Sequence, residues 1–165
     1  MNKKNLSFTK IVFLFLFTLI SINAANIEIT NAYIRATPPG IPNSASFLSI
    51  KNNTNEDIYL LEVKSSIAKN VEMHQHQMLN GMMKMSKVEK IKIKKNQSTV
   101  LQPGGFHIML LGLKNKPLKE NQSYEFTYMF SNKVNITKIV KVKSIMSMMK
   151  KHNMPKHNMP KHNMK

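Results

Sequence analysis

The sequence predicts an all-β fold, an antiparallel β-sandwich or barrel, and two observations lead to this prediction. From residue 25 onward, short apolar segments recur at close intervals, and several alternate apolar with polar residues, which is the pattern of half-buried strands. Turn-forming residues separate them, among them Asn80-Gly81 and Pro103-Gly104-Gly105. No segment of this region carries the apolar stripe of an amphipathic helix. Many short strands at such spacing are typical of sandwiches and barrels.

Each expected strand combines β-branched, aromatic or other apolar residues within a stretch bounded by turn residues. In chain order these strands are residues 27–30, 45–50, 58–63, 71–76, 82–88, 91–93, 98–101, 106–113, 124–130 and 134–142. The first alternates isoleucine with polar residues, and 124–130 alternates aromatic with other side chains. Asn80-Gly81, between 71–76 and 82–88, predicts a tight hairpin because both residues tolerate positive φ.

The N-terminus has the composition of a secretory signal. Lys3, Lys4 and Lys10 precede an apolar core over residues 11–22, and small residues follow, so cleavage is expected after Ala24. The alternative is an uncleaved inner-membrane anchor, although the apolar run is short for a membrane span. Either reading places the rest of the chain in the periplasm.

The chain then divides into one domain and an appendage. Residues 1–24 are predicted to be a signal peptide, residues 25–143 a β-sandwich domain, and residues 144–165 a disordered tail. The sequence contains no cysteine. That excludes disulfides, thiolate zinc sites, thiol redox chemistry and a blue-copper site, which requires a cysteine sulfur.

The formal charge is +17, or +14 without the three lysines of the predicted signal. Nucleic acid is not an expected partner, because the chain is predicted to be exported, its basic residues are lysines except for Arg35, and no aromatic residues interleave with them. Two readings remain open: a solvated lysine-rich surface, or attraction to an anionic membrane or an acidic partner.

Histidine and methionine cluster in a way that predicts a copper site. His74 lies in a strand, Met85 ends Met82-Met83-Lys84-Met85, and His107-Ile108-Met109 follows a turn. Thioether sulfur is a soft neutral ligand and imidazole a borderline one, so without thiolates or clustered carboxylates they favour Cu(I) over zinc, calcium or magnesium.

Strand geometry predicts which of these side chains share a face. Because residues two apart project together, His107 pairs with Met109, His74 with His76, and Met83 with Met85. The plainer reading is that methionines fill gaps in a core and that each histidine is only a hydrogen-bonded polar group. Spacing alone does not choose between His74 and His76, or between Met83 and Met85.

A resemblance to a known family makes that choice. Ten residues separate His74 from Met85, twenty-one separate Met85 from His107, and His107 begins a His-x-Met motif that ends at Met109. This spacing resembles the signature of the periplasmic copper chaperones called PCu(A)C. The flanking segments 32–36 and 103–110 are similar as well. The resemblance implies a cupredoxin-like, immunoglobulin-like sandwich, a Cu(I) site made by these four residues, and delivery of copper toward the dinuclear centre of cytochrome c oxidase.

The predicted tail repeats the same type of motif. Its candidate ligands, expected to capture Cu(II) or Cu(I), are His152, Met154, His157, Met159, His162 and Met164. Pro155 and Pro160 disfavour helix there. The alternative is a low-complexity expansion without a role in binding.

Transfer of copper, and not catalysis, is therefore the predicted activity. The sequence contains no hydrolytic triad, paired-carboxylate site or phosphate-binding loop. The partner would be a copper-accepting protein, either the oxidase copper subunit or another copper chaperone. Two rivals remain: a periplasmic protein that buffers copper and confers resistance, and a structural sandwich without metal.

Overall fold

The computed structural model describes residues 26–79, 81–114 and 117–144, and every helix or strand assigned within these ranges is a β-strand. The all-β prediction is confirmed. The strands are β1 (Ile27–Arg35), β2 (Ser44–Asn52), β3 (Ile58–Lys64), β4 (Ala68–Leu79), β5 (Met82–Lys87), β6 (Ile91–Ile93), β7 (Ser98–Leu101), β8 (Phe106–Leu113), β9 (Ser123–Phe130) and β10 (Asn135–Lys143). The described part of the chain contains no helix with the length and apolarity that crossing a membrane requires.

The predicted strands differ from the observed ones mainly at their ends. β4 continues past residue 76 because its pairing with β5 runs on to Leu79 and Met82 beside the turn. β1 continues past residue 30 because Asn31 adopts φ 53° at an irregularity in the pairing with β2. A bulge of this kind bends a strand without ending it.

The strands form one hydrogen-bonded path in the order β5-β4-β8-β2-β1-β10-β9-β3-β6, and β7 also pairs with β2. Side chains from both ends of this path pack in one hydrophobic cluster, which contains Met73 and Ile108 as well as Leu60 and Phe126. The path therefore folds over itself into the two layers of a sandwich, which confirms the predicted architecture.

One pair of strands departs from the predicted antiparallel arrangement. Residues 33–35 of β1 pair with residues 141–143 of β10 in parallel. Parallel neighbours need a long crossover, and here the chain from β2 to β9 supplies it. Apolar periodicity carries no information on strand direction, so the sequence pattern did not reveal this pair.

The strands that bear the candidate ligands lie at one edge of the path, with β5 outermost and β4 and β8 next to it. Met73 of β4 pairs with Ile108 of β8, and both are buried in the core. Because side chains alternate along a strand, their sequence neighbours His74, His107 and Met109 project from the opposite face. The core and the candidate ligands therefore occupy different faces of the same strands.

Candidate metal centre

Three chain segments that are distant in sequence become neighbours on this outer face. His74 of β4 is the register partner of His107 of β8, and His76 is the partner of Met85 on β5. The His74 and His107 ring centroids lie 5.9 Å apart. The structure therefore places His74, Met85 and His107 at adjacent positions of one sheet face.

His107 is the most enclosed of these side chains, with 3% of its surface exposed. Its Nδ1 donates a hydrogen bond to the Gly105 carbonyl oxygen at 3.0 Å, because a carbonyl can only accept. This bond assigns the proton to Nδ1 and leaves Nε2 with a free lone pair. Burial lowers the pKa of His107, opposed by the Gly105 hydrogen bond and assisted by the neighbouring His76 and His74. A neutral imidazole with a fixed tautomer is the form that binds metal.

His74 is held by a carboxylate. Its Nε2 donates to Glu72 at 2.9 Å, and Lys87 Nζ contacts the other Glu72 oxygen at 3.0 Å. The hydrogen bond from His74, followed by that from Lys87, lowers the pKa of Glu72, so this carboxyl is ionised and accepts both bonds. The arrangement orients the imidazole and leaves Nδ1 available.

His76 is as close to the centre as His74. Its ring stacks on that of His107 with the centroids 4.9 Å apart. Among the shielded side-chain nitrogen and oxygen atoms in the described ranges, those without a hydrogen-bond partner are Nδ1 of His74, Nδ1 of His76 and the Tyr128 hydroxyl. Shielded polar atoms are rarely left unpaired, and each costs on the order of 1–3 kcal/mol. Two of these three atoms belong to His74 and His76, whose rings lie beside that of His107.

The methionines flank the histidines. Met109 is the register partner of Glu72, which precedes His74 by two residues on β4. Met85 is the register partner of His76, which follows His74 by two residues. Their register positions are therefore four residues apart along β4, roughly 13 Å at 3.3 Å per residue. Both thioethers would have to lean inward over the imidazoles to share an ion. Met109 also lines an open pocket with Arg35, Ile41 and Ala45.

Within the described residues, no three histidine, aspartate or glutamate side chains form a group that could hold a metal ion. The His76 and His107 rings stack, the His74 ring is tilted against that of His107, and Glu72 is already paired. The thioethers on this face are soft ligands that would add to the histidine nitrogens in a metal site.

A comparison of the sequence with family models identifies the family. Residues 27–157 match the model of the family described as "Putative lipoprotein LpqE-like". The chain belongs to the LpqE-like family. A curated relative, "Putative lipoprotein Lxx21020" of Leifsonia xyli, is 30% identical to this LpqE-like chain over 110 residues. These residues make up 66% of the chain and 64% of the relative. The chain thus spans somewhat less than two thirds of that relative's length.

The solved structures similar to this chain include PCuAC domains, in agreement with the resemblance stated from the sequence. The copper-bound PCuAC domain from PmoF2 is 21% identical to this LpqE-like chain, with a TM-score of 0.59 over 72% of the chain and 93% of the domain. The Cu(I) form of DR1885 from Deinococcus radiodurans is 26% identical, with a TM-score of 0.55 over 74% of the chain and 83% of that protein. These likenesses confirm the cupredoxin-like architecture.

Sequence reasoning missed two parts of this site in the LpqE-like chain. Glu72 precedes His74 by two residues and therefore shares its face, a signal that was available. The Gly105 carbonyl had no sequence signal. The predicted signal peptide and the six candidate tail ligands lie outside the described residues.

Proposed function

We propose that this chain is an exported Cu(I)-binding chaperone whose site is formed by His74, Met85, His107 and Met109. The observation that carries the proposal is the unpaired, shielded Nδ1 of His74 beside neutral His107, on a sheet face that also bears both methionines. A bound ion would give this nitrogen a partner and offset the cost of leaving it unpaired.

The donor set fits Cu(I) better than a divalent ion. Two imidazoles and two thioethers carry no charge, and soft sulfur prefers Cu(I). Glu72, the carboxylate that contacts His74, is also engaged by Lys87. A divalent ion would therefore keep more uncompensated charge at a site without an anionic ligand.

The position of the site suits transfer. Met85 is 45% exposed and lies on the edge strand β5, where an acceptor's ligands can approach it. Replacement of the thioethers one at a time would move Cu(I) to the acceptor without a change in oxidation state. His107, the most buried of the four side chains, would be the last ligand to release the ion.

The comparisons support copper as the cargo. Two of the similar structures are a copper-bound domain and a Cu(I) form. The family and the curated relative are named as lipoproteins, which favours an exported protein. We further propose residues 1–24 as the signal, 25–143 as the copper domain and 144–165 as a tail that captures copper in the periplasm.

Copper binding is tested by titrating Cu(I) against a competing chelator with wild-type protein and with His107→Ala and Met109→Leu. Both variants should lose the tightest-bound equivalent. Met82→Leu is the matched control, because Met82 is exposed and its register partner is Leu79, on the other face of the hairpin. Retention of that equivalent by both variants would refute the proposed site.

Delivery to the copper subunit of cytochrome c oxidase is the finer part of the proposal, and copper buffering is its alternative. A strain lacking the gene separates the two. An oxidase defect that added copper repairs supports delivery, whereas copper sensitivity with normal oxidase activity supports buffering.

A further inference from the structure

The β4–β5 hairpin extends the row of soft ligands beyond the proposed site. Met78 of β4 is the register partner of Met83 on β5, next to the pair formed by His76 and Met85. Residues two apart in a strand share a face, and directly opposed side chains have Cβ atoms about 4.5–5.5 Å apart. These side chains therefore form two adjacent rungs, which lead from the hairpin turn toward His107.

Packing in the core does not explain the outer rung, which is the pair formed by Met78 and Met83. Met78 is 62% exposed and Met83 is 58% exposed, so neither fills a gap in the core, the usual role of methionine. Both lie on the edge hairpin of the sheet, and their thioethers are available for binding.

His76 joins the outer rung to the proposed site. Its ring stacks on His107, it faces Met85 across the ladder, and its shielded Nδ1 has no hydrogen-bond partner. The four-ligand set of the proposed function does not use this imidazole, which therefore remains available to an ion bound nearby.

We propose that Met78, Met83 and His76 form a second Cu(I) site, from which the ion passes to the site at His74, Met85, His107 and Met109. This inference rests on the proposed function, because the second site leads to the first. Successive rungs are two residues apart along the strand, roughly 7 Å, a distance that long methionine side chains can span.

The chemistry of the step is ligand exchange. A Cu–S bond to Met78 or Met83 breaks as one to Met85 forms, and the ion stays Cu(I), so no oxidant or reductant is needed. The ligands of this site are two thioethers and an imidazole, which are neutral and select a soft monovalent ion over Zn²⁺.

The test uses the full chain labelled with ¹³C at the methionine methyl groups and titrated with Cu(I) under anaerobic conditions. Methionine-to-leucine variants assign the signals. The Met78 and Met83 methyl signals should shift in a saturable step, while Met82, on the opposite face of the same hairpin and 72% exposed, should not shift. Zn²⁺ should leave all three signals unchanged.

Three variants locate the second site. Met83→Leu and His76→Gln should abolish the saturable shift at Met78 and retain the shifts at Met85 and Met109. The double variant His107→Ala/Met109→Leu should retain the shifts at Met78 and Met83, because all three ligands of the second site are intact.

The outcomes are distinct. Shifts at Met85 and Met109 without shifts at Met78 and Met83 would overturn the second site and leave the proposed function standing. Equal, non-saturating shifts at Met78, Met82 and Met83 would reveal adventitious thioether binding and also overturn it. Absence of shifts at Met85 and Met109 would contradict the proposed function itself.

Discussion

At the scale of residues, the two histidines of the proposed site are oriented by different partners. The Gly105 carbonyl fixes His107 through Nδ1, whereas Glu72 fixes His74 through Nε2. Each bond leaves one ring nitrogen with a lone pair, the form a metal requires. Gly105 and Glu72 therefore determine which nitrogen of each imidazole would bind the proposed ion.

Substitution of Glu72 should weaken copper binding without removing a ligand. Glu72→Gln keeps the shape of the side chain and loses the charge that orients His74 and pairs with Lys87. We expect Cu(I) affinity to fall by about tenfold, the lower end of the range for such partners. Glu62→Gln is the control, because Glu62 forms an exposed pair with Lys64 on β3. Equal affinities of the two variants in a chelator competition would contradict this role.

Ile108, the residue between the two proposed ligands of β8, should act on stability. Ile108 is fully buried, and Ile108→Ala should lower the free energy of unfolding by about 2–5 kcal/mol because it leaves a cavity. Val100→Ala, at a side chain that is 51% exposed, should cost far less. Urea unfolding of both variants measures the difference, and similar midpoints would show that Ile108 does not anchor β8 in the core.

At the scale of elements, apolar alternation located the strands well because one face of most strands is buried. It identified 91–93, 98–101 and 106–113 with their observed bounds. Alternation also placed His107 and Met109 on one face. It did not reveal that β4 lies between β5 and β8, since strand order depends on packing between distant segments.

The same limit applies to the choice of ligands. Residue types and strand period left His74 and His76 equivalent, and the structure places both rings within 6 Å of the His107 ring. The sequence alone also did not distinguish exposed Met78 from buried Met73, although both lie in β4. The strand period separates their faces, but only the fold shows which face is covered.

The hairpin that carries Met85 depends on its turn. Gly81 has φ +77° and open space where a Cβ would lie, so Gly81→Ala should introduce backbone strain of about 1–2 kcal/mol without a clash. In Gly105→Ala, where φ is not positive and a Cβ would meet ordinary contacts, this strain is absent. Urea unfolding compares the two variants, and an unchanged midpoint for Gly81→Ala would contradict the strained-turn explanation.

At the scale of the whole molecule, the described domain separates stability from binding. Core side chains occupy the inner faces of the layers, while the proposed ligands occupy the outer face at an edge of the hydrogen-bonded path. In the proposed function, exposed methionines would therefore exchange copper while the core remains packed. The charge of +17 is consistent with both readings of the sequence, a solvated lysine-rich surface or attraction to acidic partners and anionic membranes.

Deletion of residues 144–165 tests the proposed division of labour between the domain and the tail. The truncated protein should lose Cu(II) binding and part of its Cu(I) capacity, and it should retain the tightest Cu(I) equivalent. Copper titration in both oxidation states, compared with the full chain, measures this. Unchanged stoichiometry for both ions would contradict a capture role for the tail.

The central claim is that two imidazoles and two thioethers bind one Cu(I) ion in the domain. X-ray absorption at the copper edge, on residues 25–143 loaded with one equivalent of Cu(I), tests it most directly. We expect a mixed shell with about two nitrogen and two sulfur neighbours, the donor set of the four proposed ligands, and less sulfur scattering in Met109→Leu. A shell of nitrogen and oxygen alone, or sulfur scattering unchanged in that variant, would contradict it.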